Sequence, residues 1–267
     1  MYHTHWGLQT SPFGNDCVAA AGGSNESSAE ALARLEYLVD QRGRVGLLIG
    51  AAGTGKTSLL QRFCQVSRRR GLVAALIGGK GCDKQGLLQR LARDWQLPLQ
   101  QHANETKIWE LIADRLAELR YEQTACIVAI DDADCVSAAV RCQVERLQHC
   151  AGTAQSQLTV VLACTTETAG NIGSAWMNQT ELRIDLSPWN EDQTAQHVAE
   201  RLLQSGSEQP IFTDEAITLL HELAAGIPRK VEQVAQLALL AGAGQELSEI
   251  DAVTLAEAYQ ELGVGGL

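Results

Sequence analysis

The segment Gly50-Ala51-Ala52-Gly53-Thr54-Gly55-Lys56-Thr57 constrains this chain more than any other. It fits the spacing G-x-x-x-x-G-K-[ST] and stands between two elements of opposite pattern. Before it, Val45–Ile49 is an unbroken apolar run without alternation, as in a strand buried on both faces of a parallel sheet. After it, Thr57–Arg70 reads as a helix that stops at Gly71. Glycines let backbone N–H groups curl round a phosphate without Cβ clashes, and the helix N-terminus adds partial positive charge. Lys56 is placed to reach the β- and γ-phosphates of a nucleotide, and the Thr57 hydroxyl to ligate Mg²⁺. The expected cofactors are ATP and Mg²⁺, and the expected nucleotide set is Gly50, Ala51, Ala52, Gly53, Thr54, Gly55, Lys56, Thr57 and Ser58.

Strand and helix patterns alternate around this loop. Ser27-x-x-Glu30 reads as a capping box for a helix carrying Leu32, Leu35, Leu38 and Val39 and ended by Gly43. Strands are expected at Leu72–Ile77, Cys126–Ile130, Leu158–Ala163 and Leu182–Leu186. Helices are expected behind Asp83, over Ile108–Leu119 and over Ala133–Cys150. Strands spaced by helices imply right-handed βαβ units. The predicted fold is a three-layer α/β domain with a parallel five-stranded sheet, followed by a small all-helical domain. After Pro188 only helices are expected, near 191–204, 214–224, 228–241 and 251–262. The division is an N-terminal segment and loop over 1–28, the α/β domain over 29–188 and the helical domain over 189–267. Residues 14–28 are rich in Gly, Ala, Ser and Asn without period and read as a loop or linker.

Chemistry in a parallel sheet gathers at the carboxyl ends of its strands. Cys126-Ile127-Val128-Ala129-Ile130 runs into Asp131-Asp132, the pattern of a metal-holding strand end. Asp131 is the expected Mg²⁺ partner with Thr57. Asp132 is placed to orient or deprotonate a water, and the alternative is that Asp132 and Asp134 cap the next helix. Leu158–Ala163 ends in Cys164-Thr165-Thr166-Glu167, where Thr165 either touches the γ-phosphate or caps a helix. Gly226-Ile227-Pro228-Arg229 opens a helix with a cation at its positive end. That points to an anionic partner for Arg229, the alternative being a solvated Arg paired with Glu232 or Glu222.

Composition excludes several classes. Lys plus Arg is 21 against 32 Asp plus Glu, a net charge of −11, which disfavours a surface built to coat nucleic acid. No apolar run approaches the ~18 residues of a membrane span, and the start lacks a basic region followed by an apolar one. Eight cysteines include no Cys-x-x-Cys, and Cys64, Cys126 and Cys164 fall in apolar patterns, so a reduced, cytoplasmic protein is expected. His3-x-His5 supplies too few ligands for a metal site. Arg68-Arg69-Arg70 suits the negative end of its helix, and Trp95, Trp109 and Trp189 read as packing anchors.

Together these segments resemble a known family. Tyr2, His5-Trp6-Gly7-Leu8, Pro12-Phe13, Glu30–Val39, the glycine loop, Leu182–Leu186, Ile211–Ala216 and Gly226-Ile227-Pro228-Arg229 look like the AAA+ ATPases of the ExeA, or general secretion pathway protein A, type. TniB-like transposition ATPases are related. The resemblance runs from Tyr2 to about residue 255. It implies a P-loop NTPase base and a helical lid closing on ATP, with Thr165 as sensor 1, Arg229 as sensor 2 and Trp6–Phe13 near the adenine. It further implies ATP hydrolysis in a homo-oligomer that acts on a protein partner. An arginine of one subunit would reach the next subunit's nucleotide. Arg183 is the candidate, with a strand-edge pair to Asp185 as the alternative. The chain departs from the family in lacking aromatics over 16–28, in carrying Asp132 where Glu is usual, and in showing no membrane helix or cell-wall-binding domain. Competing functions are a DNA-associated regulatory ATPase, a nucleotide-binding module with little hydrolysis, and a P-loop kinase.

Overall fold

The alternating strand and helix patterns build a single sheet. The computed structural model describes residues 2–14, 26–99, 103–152, 157–207 and 209–264. Its elements are α1 (Tyr2–His5), α2 (Glu26–Asp40), β1 (Val45–Gly50), α3 (Lys56–Arg69), β2 (Val73–Gly78), α4 (Lys84–Asp94), α5 (Glu105–Tyr121), β3 (Cys126–Asp131), α6 (Ala138–Ala151), β4 (Leu158–Thr165), α7 (Ser174–Gln179) and β5 (Leu182–Leu186). Then come α8 (Glu191–Gln204), α9 (Asp214–Ala224), α10 (Pro228–Gly244) and α11 (Ala252–Val264).

The five strands are parallel in the order β2-β3-β4-β1-β5. Side chains alternate across the sheet, so β1 sends Leu47 and Ile49 into one core and Leu48 into another. On the first face Leu88, Ile112, Val144 and Trp176 pack down from α4, α5, α6 and α7. On the second, Leu35 of α2 and Phe63 of α3 do so, and both are fully buried. The result is the expected three-layer α/β architecture. The chain leaves β1 toward β2 and leaves β4 toward β5, on opposite sides of the adjacent β1–β4 pair. Their carboxyl ends therefore form the topological switch point where such folds bind ligands.

The chain divides into two compact units. The α/β unit comprises Ala29–Gly50 and Lys56–Leu186. The helical unit comprises Ser187–Leu267, the loop residues Ala51–Gly55 and the N-terminal segment up to Ser28. Trp6 and Leu8 lie in the core of the helical unit with Val198, Leu220, Val231 and Leu239. The Trp6 indole N–H donates to the Leu239 carbonyl at 2.9 Å.

Three local expectations are corrected. α2 starts at Glu26, so Ser27 lies inside the helix and does not cap it. That helix ends through Arg42, whose φ of 56° is left-handed, while the Gly43 amide bonds back to Leu38 O at 2.8 Å. The single helix expected over Ala133–Cys150 is a 3₁₀ turn at Ala133–Cys135 followed by α6, whose true cap is Ser137. The linker expected over 14–28 falls largely on 15–25, outside the described residues, and 26–28 are helical.

Candidate functional site

β1 delivers the chain to Gly50, and α3 takes it up again at Lys56. In the loop between, Gly53 and Gly55 hold φ of 87° and 94°, which only glycine adopts without strain. A Cβ on Gly55 would meet nothing within 4 Å, so backbone conformation alone demands glycine there. The Thr54 hydroxyl closes the loop by donating to Ala51 O at 2.9 Å. Lys56 is 7 % exposed, and its ammonium donates to Gly50 O at 2.8 Å. Burial pulls its pKa below the ordinary lysine value, and Asp131, Cys164, Asp132 and Glu167 oppose that shift.

Across the strand ends, the Thr57 hydroxyl donates to Asp131 Oδ2 at 2.6 Å. Asp131 Oδ1 accepts from the Asp132 amide at 3.1 Å. Asp131 is 8 % exposed. A hydroxyl and a buried carboxylate side by side form a hard oxygen pair suited to Mg²⁺, which commonly takes its other ligands from phosphate and water. No cluster of three or more His, Cys, Asp or Glu side chains suited to a metal occurs among the described residues. The Thr57–Asp131 oxygen pair fits a metal bound together with a phosphate.

Asp132 has a left-handed backbone, with φ and ψ both 48°, and its side chain makes no capping hydrogen bond. The capping alternative therefore fails for Asp132. Its Oδ2 lies 3.4 Å from Lys80 Nζ. Lys80 follows Gly79, whose amide donates to Asp131 O at 2.7 Å. A Cβ on Gly79 would stand 2.8 Å from that same oxygen and closer still to Asp132 O. Thr165 stands opposite Gly50 in the β1–β4 register. Its Oγ1 lies 2.7 Å from Thr168 Oγ1.

Arg183 adopts the strand-edge alternative. Its Nε and Nη2 donate to the Asp185 carboxylate at 2.8–3.1 Å, and both side chains are exposed. In the helical unit, Arg229 opens α10 with an exposed side chain, and its amide donates to Gly53 O at 3.3 Å. Among the described residues, the alternative pairing of Arg229 with Glu232 or Glu222 is not made. Glu232 Oε1 instead accepts from His197 Nε2 at 3.1 Å and Arg201 Nη2 at 3.2 Å. Ser58 is half-buried in the first turn of α3. Sequence reasoning missed Gly79, Lys80, Glu167 and Thr168. The first two were signalled by Gly78-Gly79-Lys80-Gly81 at the carboxyl end of a buried strand.

A family profile described as an AAA domain matches residues 39–171. Residues 39–171 of the chain carry an AAA domain. That match takes in the glycine loop, Asp131, Asp132 and Thr165. Over 245 residues the chain is 28 % identical to general secretion pathway protein A of Aeromonas hydrophila, covering 90 % of this chain and 45 % of that protein. The AAA-domain chain thus spans about half the length of this curated relative. Among solved structures it is similar to the ORC2 protein of Aeropyrum pernix, with a TM-score of 0.69, 15 % identity and coverage of 95 % of this chain and 72 % of that one. It is likewise similar to Cdc6p of Pyrobaculum aerophilum, with a TM-score of 0.71, 17 % identity and coverage of 94 % and 70 %. The RuvB branch migration motor of Thermotoga maritima follows, with a TM-score of 0.58, 16 % identity and coverage of 90 % and 70 %. These likenesses show a P-loop NTPase-like fold. Among the described residues, no helix is long and apolar enough to cross a membrane.

Proposed function

We propose that this AAA-domain protein binds ATP with Mg²⁺ and hydrolyses it as a nucleotide-dependent switch. The observation that carries the reading is the convergence of Lys56, Thr57, Asp131 and Thr165 on the carboxyl ends of β1, β3 and β4. The amides of the Gly50–Thr57 loop and the Lys56 ammonium bind phosphate, with Ser58 completing the set in the first turn of α3. Thr57 and Asp131 hold the metal, which supplies charge neutralisation when bound. Asp132 orients the attacking water, and Thr165 faces the terminal phosphate. Little covalent chemistry is required of the protein in phosphoryl transfer, so position and charge are what these residues contribute.

Residues 189–267 act as the lid, with Arg229 reaching the nucleotide in cis, while 29–188 form the base. Homo-oligomerisation supplies the missing cation, Arg183, which must leave Asp185 to reach a neighbour's nucleotide. A protein partner is the favoured target, as the resemblance to general secretion pathway protein A suggests, and the charge of −11 counts against DNA. Calorimetry of Mg·ATP binding tests the core of the reading. Lys56→Ala removes the charged phosphate donor, and charge-assisted bonds contribute ~1.5–3 kcal/mol each. The variant should bind ATP at least tenfold more weakly, and unchanged affinity would overturn the phosphate-loop reading.

A further inference from the structure

β2 lies at one edge of the sheet, and unpaired edge groups need cover. Side chains supply it here. The Arg68 guanidinium, from the last turn of α3, donates to Ala74 O through Nε at 3.1 Å and Nη2 at 2.8 Å. The Leu76 amide donates to Oδ2 of Asp94, at the end of α4, at 3.3 Å. Asp94 in turn gathers three arginines, Arg68 at 3.5 Å, Arg90 at 3.3 Å and Arg93 at 3.4 Å. Its own side chain is mostly buried, whereas all three of theirs are exposed. Among the described residues no second carboxylate comes within 4.0 Å of these guanidiniums. Three cations on one anion leave a surplus of two positive charges, and Arg69, exposed beside Arg68, adds a third. Arg70 stands outside the cluster, because Asp40 holds it at 2.7 Å.

We propose that Arg68, Arg69, Arg90 and Arg93 form a docking surface for an extended acidic segment of a partner protein, one that carries Asp or Glu at alternate positions. The inference rests on the reading of a protein target and gives that target its chemistry. Guanidiniums bind carboxylates in a planar, two-pronged geometry and stay charged throughout the physiological pH range. Same-side carboxylates of an extended chain stand roughly 7 Å apart, a spacing that guanidiniums sharing one carboxylate can meet. Exposed ion pairs are weak, so Arg90 and Arg93 can turn to an incoming carboxylate at little cost. Arg68 is fixed on Ala74 O, so part of the surface is ordered before a partner arrives. A nucleic acid fits less well. The chain as a whole carries a charge of −11, and a long polyanion must run from the cluster onto acidic surface. With a screening length of ~8 Å at physiological salt, a short segment confined to the cluster escapes that repulsion. The surface is also remote from the phosphate loop, because Arg68 lies about 18 Å beyond Lys56 along the axis of α3.

Fluorescence anisotropy tests this, with the full chain and a short labelled peptide of alternating Glu and Ser. The parent should bind it, more weakly as salt rises. Arg93→Glu should weaken binding by about tenfold or more, the scale of one charge-assisted contact. Lys230→Glu, in the helical unit, changes the net charge equally and should leave the peptide within about twofold. If Arg93→Glu unfolds the chain, Arg69→Glu carries the same expectation. No binding by the parent, or equal losses from the two reversals, overturns the proposal. So does a single-stranded oligodeoxynucleotide that binds more tightly than the peptide and is lost in Arg93→Glu, which would make this a nucleic-acid surface. Mg·ATP affinity, measured on the same samples, should be unchanged in Arg93→Glu, and a parallel loss would mean a general effect and overturn the assignment. Failure of the parent to bind Mg·ATP would overturn the nucleotide reading and leave the docking result to stand on its own.

Discussion

Two adjacent glycines at the end of β2 offer a matched pair of perturbations. Gly78 has open space where a Cβ would go, with nothing within 4 Å. Gly79 is wedged against the turn that carries the two acids. Its Cβ would stand 2.8 Å from Asp131 O and 3.0 Å from the Asp132 carbonyl carbon, and closer still to Asp132 O. These are backbone atoms, so Gly79→Ala must push the Asp131–Asp132 segment or its own loop by roughly half an ångström or more. Misplacing a reacting group by ~1 Å can cost ~10²-fold in rate, so a loss of about 10- to 100-fold in turnover is expected. The overpacking should also cost about 1–3 kcal/mol, or several degrees in Tm. Gly78→Ala should leave both unchanged or raise stability by a few tenths of a kcal/mol, about the gain from a less free unfolded chain. Phosphate release and thermal melting, run side by side, read both quantities. Indistinguishable behaviour of the two variants would refute the claim that the β2 loop is seated on the acidic turn.

Further outcomes follow from individual contacts. Asp132→Asn should keep Mg·ATP binding and lose ~10²–10⁴ in turnover; unchanged phosphate release would remove Asp132 from the water-orienting role. Mixing Arg183→Ala subunits with Lys56→Ala subunits should restore hydrolysis that neither shows alone, and a mixture as inactive as its parts would exclude Arg183 as the trans cation. Glu232 gives a pH effect of defined sign. Burial pushes its carboxyl up, but His197 and Arg201 outweigh burial and hold it below the ordinary value. Its stabilisation is therefore complete at neutral pH and is lost as pH falls through the lowered folded value. Glu232→Gln should cost about 1–3 kcal/mol at pH 7 and flatten the acid limb of a urea-midpoint profile; an unflattened limb would contradict the assignment.

β1, β3 and β4 were legible because each is a short run buried on both faces, a pattern distinct from the amphipathic helices, whereas β5 alternates, with Arg183 and Asp185 on its exposed face. The phosphate loop was legible because it needs residue types at fixed spacing, and Gly53 and Gly55 do sit at left-handed φ. What escaped was decided by tertiary geometry. Ser27 scores as a cap in isolation, yet α2 begins one residue earlier. Ala133–Cys150 has the composition of one helix, but the left-handed Asp132 and the cap at Ser137 divide it. Glu232 lies one turn from Arg229 and reads as its counter-ion, until α8 brings His197 and Arg201 to it. Glu167 carried no signal beyond standing two residues past a strand end.

The indole of Trp6 bonds to a carbonyl 233 residues further along the chain. On a ribosome adding ~5–20 residues per second, that partner emerges roughly 10–50 s after the tryptophan. The α/β unit, whose strands all lie between Val45 and Leu186, is complete well before then. The α1 segment must therefore wait, with Trp6 and Leu8 uncovered, while the α/β unit folds. Assembly of the helical unit consequently follows that of the α/β unit, and a pause in translation before Leu239 emerges would extend the exposure of this aromatic segment to chaperones and proteases.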